Sequence, residues 1–502
     1  MPDDKEHTYS AEEAQLLKET GYEVTLKREF SFWTAFGVAF VIISPIVALY
    51  GVFGLGLVTG GPAFWWTFPL TLIGQLLTAL VFAELGSRYP LAGGVYQWTR
   101  QAGNPRLAWF TGWSYIWCYV ISITAATFIM ANYFCAMIGY NNPPVPALVG
   151  ISIGFVVLYT AINTIARWVL KIMLVVSIAC EAIASITLAT VLLIFYRENP
   201  ISIIFNPIVA GNWRTYLTGG AFLGALAFVG WSFIGFEAAG TISEEVKNPQ
   251  RAIPKAIVLS LVVVAATVMY SSLALILATP NIEQVVRKGD IADPIVYTLT
   301  YHFGDAWARP FFGLVVLGFL AGQITCQTAV SRATFSWARD GLIPASSFLS
   351  RVSRKQRLPI NAIVTTGVLI VVLYALAGVR NAWEMLLSAT VILFYTSFML
   401  GLVGAFIARL TGRWQPGEFN LGRIGGWTTN LLALLWTGFM IVIIAWPRYP
   451  DLPWYQNWAV LILMAVLTAA GVISFFALQV PKKVETAKAL LSADADPAEA
   501  VE

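Results

Sequence analysis

Residues 230–257 read GWSFIGFEAAGTISEEVKNPQRAIPKAI. An apolar run carrying Gly230, Gly235 and the acid Glu237 gives way to EEVKNPQRAIP, and the chain then turns hydrophobic again at once. A membrane helix does not carry such an interruption for packing alone, because backbone groups freed at bilayer depth must face protein or a water-filled cavity. Discontinuous helices of this kind mark the ligand sites of secondary transporters.

Composition places the whole chain in a lipid bilayer. Of 502 residues, 58% are hydrophobic and 12% charged, about half the roughly 25% charge of a soluble domain. Mean hydropathy is +0.72. The net charge of +4 follows from the topology of the cations and does not imply a nucleic-acid partner. The polar first 30 residues, followed by a long apolar run, do not read as a signal peptide. Cys118, Cys135, Cys180 and Cys326 fall inside apolar runs without metal or disulfide spacing and read as small buried hydrophobes. His7 and His302 lie in a tail and a loop, so neither a metal site nor a bound cofactor is expected.

A spanning helix needs about 20 apolar residues. Such runs predict an all-α polytopic protein of twelve transmembrane segments, with cores at 31–57, 64–88, 107–138, 146–163, 170–195, 219–242, 254–279, 310–338, 360–378, 382–408, 428–446 and 456–480. With the N-terminus inside, only Arg197, Arg214, Arg287, Lys288, Arg309, Arg380 and Arg448 of the 31 Lys and Arg fall outside. The positive-inside rule then puts both termini in the cytoplasm. Short loops suggest a plasma (inner) membrane. The expected units are an N-terminal tail (1–30), segments 1–5 (31–195), segments 6–10 (219–409), segments 11–12 (428–480) and a C-terminal tail (481–502).

Five segments per block is an odd number, so the second block enters from the opposite side and an inverted repeat is expected. Such a repeat predicts a break in the first helix of each block. Segment 1 carries Ser44-Pro45 within an apolar run, and segment 6 carries Ser232 to Gly235. Proline removes a backbone donor, and glycine lets the chain leave helical geometry. A plain proline kink is the alternative for segment 1 alone; a matching break in segment 6 argues against it.

The chain resembles the amino acid-polyamine-organocation (APC) permeases. Gly235, Phe236 and Glu237 match their GF[DE], and Glu244, Glu245, Lys247, Asn248, Pro249, Arg251, Ile253 and Pro254 match EE-x-K-N-P-x-R-x-I-P. Thr59–Trp98, Ser331–Pro344 (SRATFSWARDGLIP) and Leu358–Ile363 (LPINAI) extend the likeness over segments 1–10. The stretch S-P-x-x-x-L-Y-G at Ser44 and F-A-E-L-x-S-R-Y-P-L-A-G-G-x-Y-Q-W look most like the amino acid/choline branch, which includes γ-aminobutyrate carriers.

That resemblance implies a substrate carboxylate held by the half-helix of segment 1, here Ser44, Pro45, Ile46, Val47 and Ala48. The physical basis is a row of unpaired N–H groups and the positive end of the helix dipole. The chain departs from the family's G-S-G pattern: Ile46 and Val47 are bulky and β-branched, which leaves room for a differently shaped amine. The amine is expected at segment 6, from the carbonyls of Phe233, Ile234 and Gly235, with Trp231, Phe233 and Phe236 as candidates for cation–π cover worth ~0.5–2 kcal/mol. In a chain with 14% aromatics, each of these rings has core packing as its alternative role.

Three acids stand in apolar runs: Glu84, Glu181 and Glu237. A charge near the bilayer centre costs on the order of 2.5–3.5 kcal/mol on insertion scales, so each is expected to serve a path, a pair or a switch. Glu84 lies beside Arg88 and reads as an ion pair or intracellular gate; Glu237 reads as a cap or vestibule residue; Glu244 and Glu245 read as gate or loop pairs. Glu181 is mid-segment with no cation within a turn. In the family's fold, segment 5 packs near segments 1 and 8, where related carriers hold a sodium ion or a protonatable side chain. That makes Glu181 the candidate coupling residue, with a packing hydrogen bond as its alternative.

No nucleophile–base set, metal cluster or G-x-x-x-x-G-K-[ST] motif is present, so neither an enzyme nor an ATP-driven pump is expected. The reading is a secondary transporter of a small amino acid or related amine, with protons and the bilayer as its other partners. A choline or polyamine carrier, an amino acid exchanger and a transporter-like nutrient sensor stand as alternatives, and short tails argue against the sensor. A homo-oligomer is compatible with this composition but not read from it.

Overall fold

The computed structural model describes residues 28, 30–140, 142–165, 167–288, 293–353, 358–376, 382–448 and 453–483. Nearly all of the two expected tails lies outside these residues. Among the described residues, eleven helices are long and apolar enough to cross a membrane: Phe32–Tyr50, Pro62–Arg88, Pro105–Ile138, Val145–Ile165, Ile172–Phe195, Ala221–Glu245, Pro249–Ala278, Pro294–Arg339, Ser388–Leu410, Gly422–Ala445 and Ala459–Ala477. Where a ninth crossing was expected stands a shorter apolar helix, Ile360–Ala375. Residues 377–381, between it and the next helix, lie outside the described ones. Counting that shorter helix in place, the helices are segments 1 to 12.

Burial sorts the segments into centre and periphery. In segments 1, 6 and 8, 78% of the most apolar stretch is buried against the rest of the chain, compared with 22% in segment 4 and 11% in segment 12. The two interrupted helices therefore sit in the middle of the bundle.

The interruption in segment 1 has a local cause. Helix Phe32–Ile43 stops at Ser44, whose φ is 47°, and a second helix runs from Pro45 to Tyr50. Pro45 has no N–H to return to the preceding turn. Ser44 turns the chain and caps this second helix, its hydroxyl accepting from the Val47 N–H at 3.0 Å. In segment 6, helix Ala221–Val229 tightens into a 3₁₀ turn, Gly230–Phe233, passes through extended Ile234, and resumes as 3₁₀ helix Phe236–Glu245. Gly235, at φ 104°, makes the reversal, a conformation closed to most side chains.

Two further departures were not expected. Segment 5 carries a π-helical turn, Ala182–Thr187, directly after Glu181. Such turns insert a residue and rotate the side chains around them. Segment 8 is non-helical at Gly304, φ 67°, so a short helix precedes the crossing proper. At the far end of segment 6, Phe30 bridges Val246: the Phe30 N–H donates to the Glu245 carbonyl and the Lys247 N–H to the Phe30 carbonyl, both at 2.9 Å. This ties the start of segment 1 to the end of segment 6.

Candidate functional site

A small cavity lies between the two breaks. Segment 1 contributes Ile42, Ile43, Val47 and Ala48, and segment 6 contributes Trp231, Ile234 and Gly235. Tyr119, Ser122 and Ala126 of segment 3 close one side; Gly322, Gln323 and Cys326 of segment 8, with Phe394 of segment 10, close the other. Glycine permits this close approach. A Cβ on Gly51 would stand 2.2 Å from the Trp231 ring, and one on Gly235 would stand 2.5 Å from the Ile42 side chain.

The second half of segment 1 is fully capped by protein. Its first residue, Pro45, has no N–H; the Ile46 N–H donates to Glu181 Oε2 at 2.8 Å, Val47 to the Ser44 hydroxyl at 3.0 Å, and Ala48 to the Ser44 carbonyl at 2.8 Å. The Ser44 hydroxyl itself donates to Glu181 Oε1. A helix start leaves four N–H groups to be satisfied; here each is missing or taken. Glu181 is 2% exposed. Tyr50 donates to the Ala184 carbonyl at 3.1 Å, inside the π-helical turn.

Glu237 closes the break in segment 6 on itself. Its Oε2 accepts from the Gly235 N–H at 3.1 Å, while Oε1 accepts from the hydroxyls of Tyr115 and Tyr119, each at 3.0 Å. The Ser232 hydroxyl donates to the Ala48 carbonyl at 2.8 Å and fastens one break to the other.

The expected site residues separate into two groups. Val47, Ala48, Trp231, Ile234 and Gly235 line the cavity. Ser44 and Ile46 instead meet Glu181, and Pro45 is buried in the turn. Phe233 packs beside Phe68, 6.1 Å between ring centres, and Phe236 beside Phe398 at 5.5 Å. Those two rings belong to the core, which was their alternative role.

Glu84 pairs with a partner other than its sequence neighbour. Arg409 donates to its Oε2 at 2.5 Å and the Leu421 N–H to its Oε1 at 3.0 Å. Arg88, one helical turn along, turns away to Gln415 and the Tyr89 ring. Burial explains the exchange: both members of the Glu84–Arg409 pair are nearly inaccessible, whereas Arg88 sits at the last turn of its helix.

Glu244 and Glu245 anchor the end of segment 6 to segment 8. Arg332 meets Glu245 at 3.1 Å, Arg339 meets Glu244 at 3.0 Å, and the Ala92 N–H donates to Glu244 at 3.0 Å. The sequence shows both glutamates and the motif holding the two arginines, but not the pairing. Tyr115, Tyr119 and Gln323 were missed outright. The signal for the tyrosines was their spacing of four on one helix face; nothing local distinguished Gln323.

The family profile described as "Amino acid permease" matches residues 30–469. The chain is similar to Amino-acid permease 2 of Neurospora crassa, at 25% identity over 90% of this chain and 85% of that protein. It is also similar to the branched-chain amino acid permease BcaP of Bacillus subtilis, at 26% identity over 86% of this chain and 91% of that protein.

Proposed function

The chain belongs to the amino acid permease family, a family of multi-pass membrane transporters and not of enzymes, and on that premise we propose a secondary active transporter coupled to protons and working by alternating access. Membership implies a small amino acid as substrate; a related amine stands beside it, and the relative named for branched-chain amino acids favours an aliphatic one.

One observation carries the reading. The cavity lies between the breaks of segments 1 and 6, and a buried acid, Glu181, is bonded to the first of those breaks. Two discontinuous central helices around a cavity are what a carrier needs to bind a solute at mid-depth. An acid bonded to one of them links proton occupancy to that helix's position. Segments 1–5 (31–195) and 6–10 (219–409) form the two inverted halves in this reading, with both termini in the cytoplasm of a plasma-membrane protein.

The conformation then has its inner side shut. The Phe30–Val246 bridge and the pairs of Arg332 and Arg339 with Glu245 and Glu244 are the cytoplasmic gate. Protonation of Glu181 loosens its hold on Ile46 and Ser44, so the first half of segment 1 can swing away and open the gate. Uptake into proteoliposomes with an imposed pH gradient tests this. Accumulation of an amino acid or amine is expected; exchange alone would make the protein an exchanger, and binding with neither would make it a sensor.

A further inference from the structure

We propose that Glu181 is a built-in occupant of the anion position on segment 1, so that the substrate is recognised through its amine and needs no carboxylate. This rests on the transporter reading and narrows its substrate class to small organic amines, with amino acids binding by their amino group.

The observation is a half-helix beside the cavity whose backbone donors are spent. At the start of Pro45–Tyr50 every backbone N–H is absent or bonded inside the protein, to Glu181 or Ser44. A ligand carboxylate entering the cavity finds no donor left on that half-helix. Glu181 reaches Ile46 from segment 5, and neither residue lines the cavity, so a ligand does not simply trade places with it.

Acceptors, in contrast, are left over. In a continuous helix the carbonyls of Val41, Ile42 and Ile43 would pair with the N–H groups of residues 45, 46 and 47; the first does not exist and the other two are committed. The Val41 carbonyl lies against Gly322, with 3.5 Å between its oxygen and the place of a Cβ there, and Gly322 lines the cavity. One residue on, Gln323 is 2% exposed, lines the cavity, and its Oε1 has no hydrogen-bond partner. A buried acceptor without a donor is costly unless a ligand supplies one.

Charge points the same way. Among the described lining residues there is no Lys, Arg or His. The carboxyl group of Glu237 accepts from the hydroxyl of Tyr119, which lines the cavity. Trp231, Tyr119 and Phe394 line the cavity, and aromatic rings attract an ammonium group. The chemistry is that of a cation site beside a half-helix whose backbone donors are already spent.

The test is a binding panel on the purified, full-length wild-type protein, read by thermal shift and by competition. The probes are the twenty amino acids, 4-aminobutyrate, choline and putrescine; each amino acid that binds is then paired with its decarboxylated amine and its N-acetyl derivative. The amine is expected to bind within about tenfold of the parent, and the N-acetyl form to lose at least about a hundredfold, the worth of a hydrogen bond to a charged group. Binding by choline or putrescine without any amino acid also supports the proposal. An amino acid that binds while its amine does not overturns it and leaves the transporter reading intact. Binding by no probe overturns both. Gln323→Leu adds a second arm: a ten- to hundredfold loss for the amine is expected, and unchanged affinity removes Gln323 from the site. Because the panel runs on the unaltered protein, a variant that fails to fold leaves the main result standing.

Discussion

The Glu181 carboxylate accepts a hydrogen bond from the Ile46 backbone N–H at 2.8 Å, across 135 residues of sequence. Segment 5 thereby holds the second half of segment 1 by its N-terminus. An acid placed there also meets the positive end of the helix dipole. The same carboxylate holds Ser44, the residue at which the helix breaks, so this one side chain touches both the hinge and the element beyond it.

Arg409→Ala should destabilise the protein strongly while leaving the cavity intact. Its partner Glu84 is buried, bonded to Arg409 and to the Leu421 N–H, and the arginine also stacks on Trp414 at 3.8 Å. Removing one member of a buried pair strands the other and costs about 3–5 kcal/mol. Thermal unfolding in detergent should show a large drop in midpoint, and the double variant Arg409→Met with Glu84→Gln should recover much of it. A midpoint unchanged by Arg409→Ala would mean that the pair is not a structural clasp.

Arg332→Ala should loosen the inner gate. It leaves Glu245 buried at the junction of segments 6 and 8 and favours the conformation that lets water reach that end. Cys326 lines the cavity and reports on access. In a variant retaining Cys326 as its one cysteine, maleimide labelling from the cytoplasmic side should be several-fold faster than with Arg332 present. Equal labelling rates would take Arg332 out of the gate.

Gly51→Ala should cost both stability and ligand binding. The added Cβ would lie 2.2 Å from the Trp231 ring and 2.8 Å from the Val47 carbonyl, so the indole has to move out of the cavity wall. Overpacking of this kind costs about 1–3 kcal/mol. Reduced affinity with an unaltered fold, seen by titration and by circular dichroism, is the expected pairing. Full affinity would show that Trp231 is not a wall of the site.

The two breaks were legible in the sequence because proline and glycine state their effects locally. Ser44-Pro45 and Gly235 turn the chain where the residue types require it. The bundle was legible too, since each long apolar run has few alternatives in a bilayer. The partners of the acids were not. Glu84 lies four residues from Arg88 yet pairs with Arg409, 325 residues away, because local spacing says nothing of which distant helix arrives at a buried face. Phe233 and Phe236 looked as suited to a ligand as Trp231 did. The tight 3₁₀ winding around Gly235 assigns their directions, and no periodicity rule for an α-helix anticipates it. The bond between Glu181 and Ile46 was equally hidden, because it depends on the register of segment 5 against segment 1.

The decisive measurement is pH-driven accumulation by Glu181→Gln in proteoliposomes, beside binding and counterflow exchange of the same solute. Glutamine keeps the shape and can still accept from the Ile46 N–H, but its amide NH2 cannot accept from the Ser44 hydroxyl, so it resembles the protonated acid and carries no titrating proton. If Glu181 couples protons to segment 1, the variant binds and exchanges while an imposed pH gradient no longer drives accumulation. Accumulation by Glu181→Gln with the wild-type dependence on pH would contradict it.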